Sequence, residues 1–143
     1  MKYRRYDRDY LLVFKKGEQF VDSLTEFAKE EGMVAASFHG LGGALSVEIG
    51  YYHLDRKEYE FTKLNEVLEI VSLHGNIALK DGEPLIHAHG VFSDPELSTY
   101  GGHIKEMVVG GTCELRLQSY DDEWIRKYDE DTGLHLLDLD ESA

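Results

Sequence analysis

Apolar and polar residues alternate along most of this chain, and in one stretch the period changes. Tyr10-Leu11-Leu12-Val13-Phe14 reads as a strand, closed by Lys15-Lys16-Gly17. From Glu18 the spacing turns helical. Phe20, Val21, Leu24, Phe27 and Ala28 recur at three- and four-residue steps, with Glu18 and Asp22 suited to the start and Gly32 to the stop. Alternation then returns. Val34 to His39 reads as a strand entering a turn at Gly40-Leu41-Gly42-Gly43, and Leu45, Val47, Ile49 and Tyr51 mark a strand leaving it. Tyr59 to Thr62 is its partner after the charged turn Asp55-Arg56-Lys57-Glu58. Val67 to Leu73, rich in β-branched residues, runs on past Gly75 to Leu79, and Asp81-Gly82 turns the chain back. From Met107 the odd positions (Met107, Val109, Gly111, Cys113, Leu115, Leu117) are largely apolar and the even ones largely polar, which predicts a long half-buried strand. The elements together predict an α+β single domain, a predominantly antiparallel β-sheet packed with one main helix.

Histidines concentrate where two of these strands meet, in Leu85-Ile86-His87-Ala88-His89-Gly90 and Gly101-Gly102-His103. Residues two apart on a strand share a face, so His87 and His89 project together. His89 and His103 are symmetric about Glu96, inside the turn-like Asp94-Pro95-Glu96-Leu97-Ser98, so an antiparallel return brings His103 opposite or near His89. Three neutral imidazoles are a good borderline ligand set for Zn²⁺ and leave a fourth position for water or another ligand. The same spacing suits three partly exposed strand histidines that hold nothing, and the pattern leaves both readings open. Glu114, on the polar face of its strand, is either a hydrogen-bond partner for an imidazole or a solvated glutamate. Cys113 falls on the apolar face and reads as a small buried residue. His39 and His74 end or interrupt strands and read as core or edge residues. Gly40-Leu41-Gly42-Gly43 lacks the lysine of a phosphate-binding loop and no helix follows it, so it reads as a tight turn or a close contact between chains.

Charge narrows the choice of partner. The 143 residues carry 28 Asp and Glu against 15 Lys and Arg, a formal −13. Such a field opposes direct DNA binding, which draws most of its affinity from neutralised phosphates. The basic lead-in with Lys2, Arg4, Arg5 and Arg8 is the local exception. A single cysteine excludes an internal disulfide and fits a reducing cytoplasm, and no run approaches the ~20 apolar residues of a membrane span. The tail from Asp121 is acidic but carries Trp124, Ile125, Tyr128, Leu134, Leu136 and Leu137, which predicts packing on the domain with the last few residues loose. The expected core is therefore about residues 10–137 of one domain spanning 1–143, flanked by the basic lead-in and the acidic end.

Several of these segments together resemble a known family. Gly40 to Tyr52 looks like the glycine turn and first long strand of PPC (plant and prokaryote conserved) domains, and Glu69 to Ala78 is similar to their central strand. Leu85 to His89 and Gly101-Gly102-His103 resemble the family's histidine segments, Thr112-Cys113-Glu114 its last core strand, and Arg126 to Leu134 the ending of prokaryotic single-domain members. The resemblance runs in order from about Leu12 to the end. It implies a homotrimer and a metal, zinc or another divalent ion, at His87, His89 and His103 near the subunit boundary. Plant members join the domain to AT-hooks, and the family is often labelled DNA-binding, but this chain has no Arg-Gly-Arg hook core. Glu66 to Val71 also departs from the plant partner-binding motif, so those partners do not carry over. The reading that follows is a cytoplasmic binding or regulatory protein, pairing with itself and taking a small molecule at the metal. The alternative is a metal-dependent enzyme acting on a small molecule, with a water activated near Glu114. A DNA-associated factor working through the basic N-terminal residues is a third, opposed by the charge.

Overall fold

Strict alternation sets the register of the first strands. β1 (Lys2–Tyr6) and β2 (Asp9–Lys15) pair antiparallel, with Tyr10, Leu12 and Phe14 buried and Leu11 and Val13 exposed. The basic lead-in expected to flank the core is thus itself an edge strand. The computed structural model describes residues 1–139, and the loose last few residues expected from the sequence lie outside them.

The helical period becomes α1 (Phe20–Glu30), which buries Phe20, Leu24, Phe27 and Ala28 and stops at Gly32 with φ 63°. Gln19 supplies no side-chain cap. The orphan N–H groups of Val21 and Asp22 donate instead to the Glu106 carboxylate on the sheet. Phe20 lies 5.3 Å from the Phe14 ring and 6.1 Å from Phe38, and Tyr10 lies 5.6 Å from Phe27. Each fully buried phenylalanine contributes roughly 1.5–3 kcal/mol.

β3 (Ala35–His53) corrects the expectation of two strands joined by a glycine turn. It is one strand of 19 residues, bulged between Gly40 and Gly42. The reason is close backbone approach. A Cβ on Gly40 would sit 2.3 Å from the Glu114 carbonyl oxygen, and one on Gly42, at φ 152°, 2.1 Å from that of Thr112. Glycine lets β3 bend while crossing its neighbour, and the contact is within the chain.

The remaining elements are β4 (Glu58–Leu64), β5 (Leu68–Lys80), β6 (Glu83–Ser93), β7 (Thr99–Ser119), β8 (Ile125–Asp129) and β9 (Leu134–Asp138). The sheet runs β1-β2-β7-β3-β5-β8-β9, with β4 on β3 and β6 paired to both β5 and β7. The pairings β3–β5, β5–β6, β6–β7 and β7–β3 therefore close a ring, all antiparallel. β8 joins β5 in parallel at Leu79 and Lys80 and forms a hairpin with β9. The acidic tail thus packs on the domain as expected, but as strands. The buried apolar residues among those described run from Tyr10 to Leu117, so the tail adds strands and not core. Among the described residues no helix is long and apolar enough to cross a membrane.

Candidate metal centre

Two turns bring the histidines together. Asp81 and Gly82, with φ 52° and 78°, make the tight β5–β6 connection and set Asn76 opposite His87. In the β6–β7 turn the Asp94 Oδ1 accepts from the N–H of Glu96 (2.9 Å) and of Ser98 (3.0 Å), which sets His89 directly opposite His103. His87 and His89 share a face of β6 as their spacing requires. The ring centroids are 5.1 Å apart for His87–His89, 5.2 Å for His87–His103 and 5.6 Å for His89–His103. One ring nitrogen from each lies within 4.8 Å of the others.

Electrostatics keep the rings neutral. Burial, then the Arg126 charge, then the neighbouring imidazoles lower His87 from 6.5 to about 4. His89 is lowered by burial and then by His74, and His103 by burial and then by His89. A neutral imidazole offers a lone pair, which is what a metal requires. His103 Nδ1 is buried and has no hydrogen-bond partner among the described residues. An orphaned ring nitrogen beside two further imidazoles fits a metal ligand set, and its all-nitrogen chemistry suits zinc. Zinc held by three imidazoles keeps a fourth position open for water or an anion.

The structure also supplies neighbours that the sequence did not announce. Arg126 donates from Nη2 to Asn76 Oδ1 (2.8 Å) and to His87 Nδ1 (3.2 Å), and from Nη1 to the His135 carbonyl (3.0 Å). Arginine can only donate, so His87 Nδ1 presents its lone pair there. The Tyr59 ring lies 4.7 Å from that of His103 and closes another side. Asn76 was readable, because the Asp-Gly turn fixes its register against His87. Arg126 was not, because its position depends on the parallel β5–β8 pairing.

Glu114 is a correction. It is exposed on β7, opposite Val13 and Leu41, and no carboxylate joins the three-ring group among the described residues. A β7 that runs on past His103 carries residue 114 to the far end of the sheet. His39 and His74 lie opposite each other, and the His74 ring is 6.3 Å from His89, outside the group. Cys113 is fully buried, and burial pushes its thiol up to about 12, as suits an inert core residue.

Comparison with curated protein sequences finds no match. Solved structures do match. A metal-containing protein from Archaeoglobus fulgidus is 35% identical with a TM-score of 0.85, covering 96% of this chain and 99% of that one. A plant- and prokaryote-conserved (PPC) protein from Pyrococcus horikoshii is 33% identical with a TM-score of 0.86, covering 96% and 93%. A protein from Ralstonia eutropha, named as a DNA-binding candidate, is 31% identical with a TM-score of 0.90, covering 96% of each chain. The model of the Plants and Prokaryotes Conserved (PCC) domain matches residues 1–121. The chain therefore belongs to the PCC domain family.

Proposed function

We propose that this chain is a zinc-binding PCC-domain protein with a binding or regulatory role, holding the ion through His87, His89 and His103 and working as a homotrimer. The observation that carries the metal reading is the convergence of three imidazole nitrogens within 4.8 Å. The orphaned His103 Nδ1 and the likeness to a metal-containing archaeal protein support it. Metal analysis of protein purified without a histidine tag tests it, against a His87→Ala/His89→Ala/His103→Ala variant. About one zinc per chain in the first and none in the second is expected. Equal metal in both overturns the reading.

The homotrimer rests on the outer face of the sheet. Leu11 and Val13 on β2, Leu41 on β3, Val71 on β5 and Val91 on β6 are exposed there, 36–56% each, with Glu114 and Arg116 of the intervening β7 between β2 and β3. Exposed apolar side chains spread over four strands, with charged β7 residues among them, favour a surface for another copy. Sedimentation equilibrium should give three times the 16.3 kDa of one chain, and a monomer would remove the assembly. DNA binding, suggested by the Ralstonia relative, meets the formal charge of −13. No retention on duplex DNA at low salt is expected.

A further inference from the structure

The cavity beside the rings contains a positive charge that no carboxylate among the described residues answers. Arg126 is half-buried, and no described carboxylate forms an ion pair with it, although the chain has 28 acidic residues against 15 basic ones. Its Nη groups meet three neutral acceptors, the Asn76 amide, the His135 carbonyl and the His87 ring. Its Nε is buried and has no partner among the described residues. A guanidinium withdrawn from water without a counter-charge is costly, and an anion arriving beside it offsets that cost.

The space for such an anion is present. A cavity of about 250 Å³ is lined by His87, His103, Arg126 and Lys80, with Leu85 and Leu134 among its apolar walls. That is below the roughly 300–1,000 Å³ of sites for drug-sized ligands, so the occupant is small. The planar fork of arginine matches a carboxylate. Apolar walls favour a ligand with a short hydrocarbon part over a bare inorganic anion. A polyanion is repelled by the molecule as a whole.

Resting on the three-histidine metal reading above, we propose that this cavity receives a small organic carboxylate, held by Arg126 beside the ligand position that the three imidazoles leave open. β8 and β9 carry the guanidinium and part of the apolar wall. They lie beyond residues 1–121, over which the family model matches, while Lys80, Leu85, His87 and His103 on the other walls lie within it.

The test titrates zinc-loaded protein calorimetrically with butyrate, butyramide and inorganic phosphate. Butyrate should bind once per chain, butyramide should give no signal, and phosphate should bind at least about tenfold more weakly than butyrate. Losing a charge-assisted hydrogen bond costs about tenfold or more, so Arg126→Gln should lower butyrate affinity by that factor while zinc per chain stays unchanged. Because Arg126 also ties β8 to Asn76, a second variant, Leu136→Trp, fills the cavity and leaves the guanidinium in place. It should lose butyrate binding and keep zinc. Butyrate binding unchanged by Arg126→Gln, no binding to the zinc-loaded protein, or phosphate binding as tightly as butyrate overturns the inference and leaves the metal reading standing. Failure of the protein to load zinc overturns both.

Discussion

Two hairpins meet at the rings, and they are held in different ways. β6–β7 is part of the closed ring of strands and buries Ile86, Ala88, Phe92 and Ile104, while the Asp94 carboxylate organises its turn. β8–β9 contributes no buried residue. It is attached through two residue pairs with β5, through Arg126, and through the Tyr52 hydroxyl donating to the Thr132 carbonyl at 2.6 Å. The core-anchored hairpin presents three neutral imidazoles, and the surface-anchored one presents a cation. On the proposed reading, metal affinity should respond most to substitutions in the first hairpin and anion preference most to those in the second, with the Arg126–His87 hydrogen bond joining the two.

The sharpest break of this comparison comes at the rings. On the proposed reading, His89→Ala removes one of three nitrogen ligands. Apparent zinc binding energies of about 10–16 kcal/mol are shared among a few ligands, so affinity should fall at least about a hundredfold. Competition with a chromophoric chelator measures this, and a loss of under tenfold would mean that another group ligates the ion.

Acid provides the next test. Burial lowers His87 to about 4 in the folded chain, against 6.5 when unfolded. The unfolded state then takes the proton first, so stability of the metal-free protein should fall as pH drops through 6.5 and stop falling, for this group, below about 4. Urea midpoints measured from pH 7 to 4 should show that slope in the parent and a shallower one in His87→Gln. Parallel profiles for the two would contradict the assigned burial.

A smaller effect belongs to the turn. Asp94→Ala deprives two N–H groups of their acceptor and should destabilise the protein by about 1–2 kcal/mol, read from urea unfolding. Zinc affinity should fall with it, because the His89–His103 register depends on the same turn. The smallest expected effect is none. Glu114→Gln should leave zinc affinity within about twofold, since the exchange removes charge from an exposed position that does not face the rings. A tenfold loss would return Glu114 to the site.

The same contrast explains what could be read from residues alone. His87, His89 and His103 were legible because strand alternation and a symmetric turn are local rules, and both apply between residues 85 and 103. α1 and the long half-buried β7 were legible from period for the same reason. The single β3 was not. Gly40 and Gly42 have the composition of a turn, and only the carbonyls of Glu114 and Thr112 lying against them show that they serve a crossing instead. Glu114 was placed on the correct face of its strand, but face does not encode distance along a strand that runs from Thr99 to Ser119. Arg126 was hidden most deeply, since nothing near it in the chain specifies that β8 will pair with Leu79 and Lys80.

Zinc K-edge X-ray absorption on the zinc-loaded protein tests the central claim most directly. Three imidazole nitrogens at about 2.0–2.1 Å and one further light atom are predicted in the first shell. A shell with sulfur, or with fewer than three imidazoles, would contradict it.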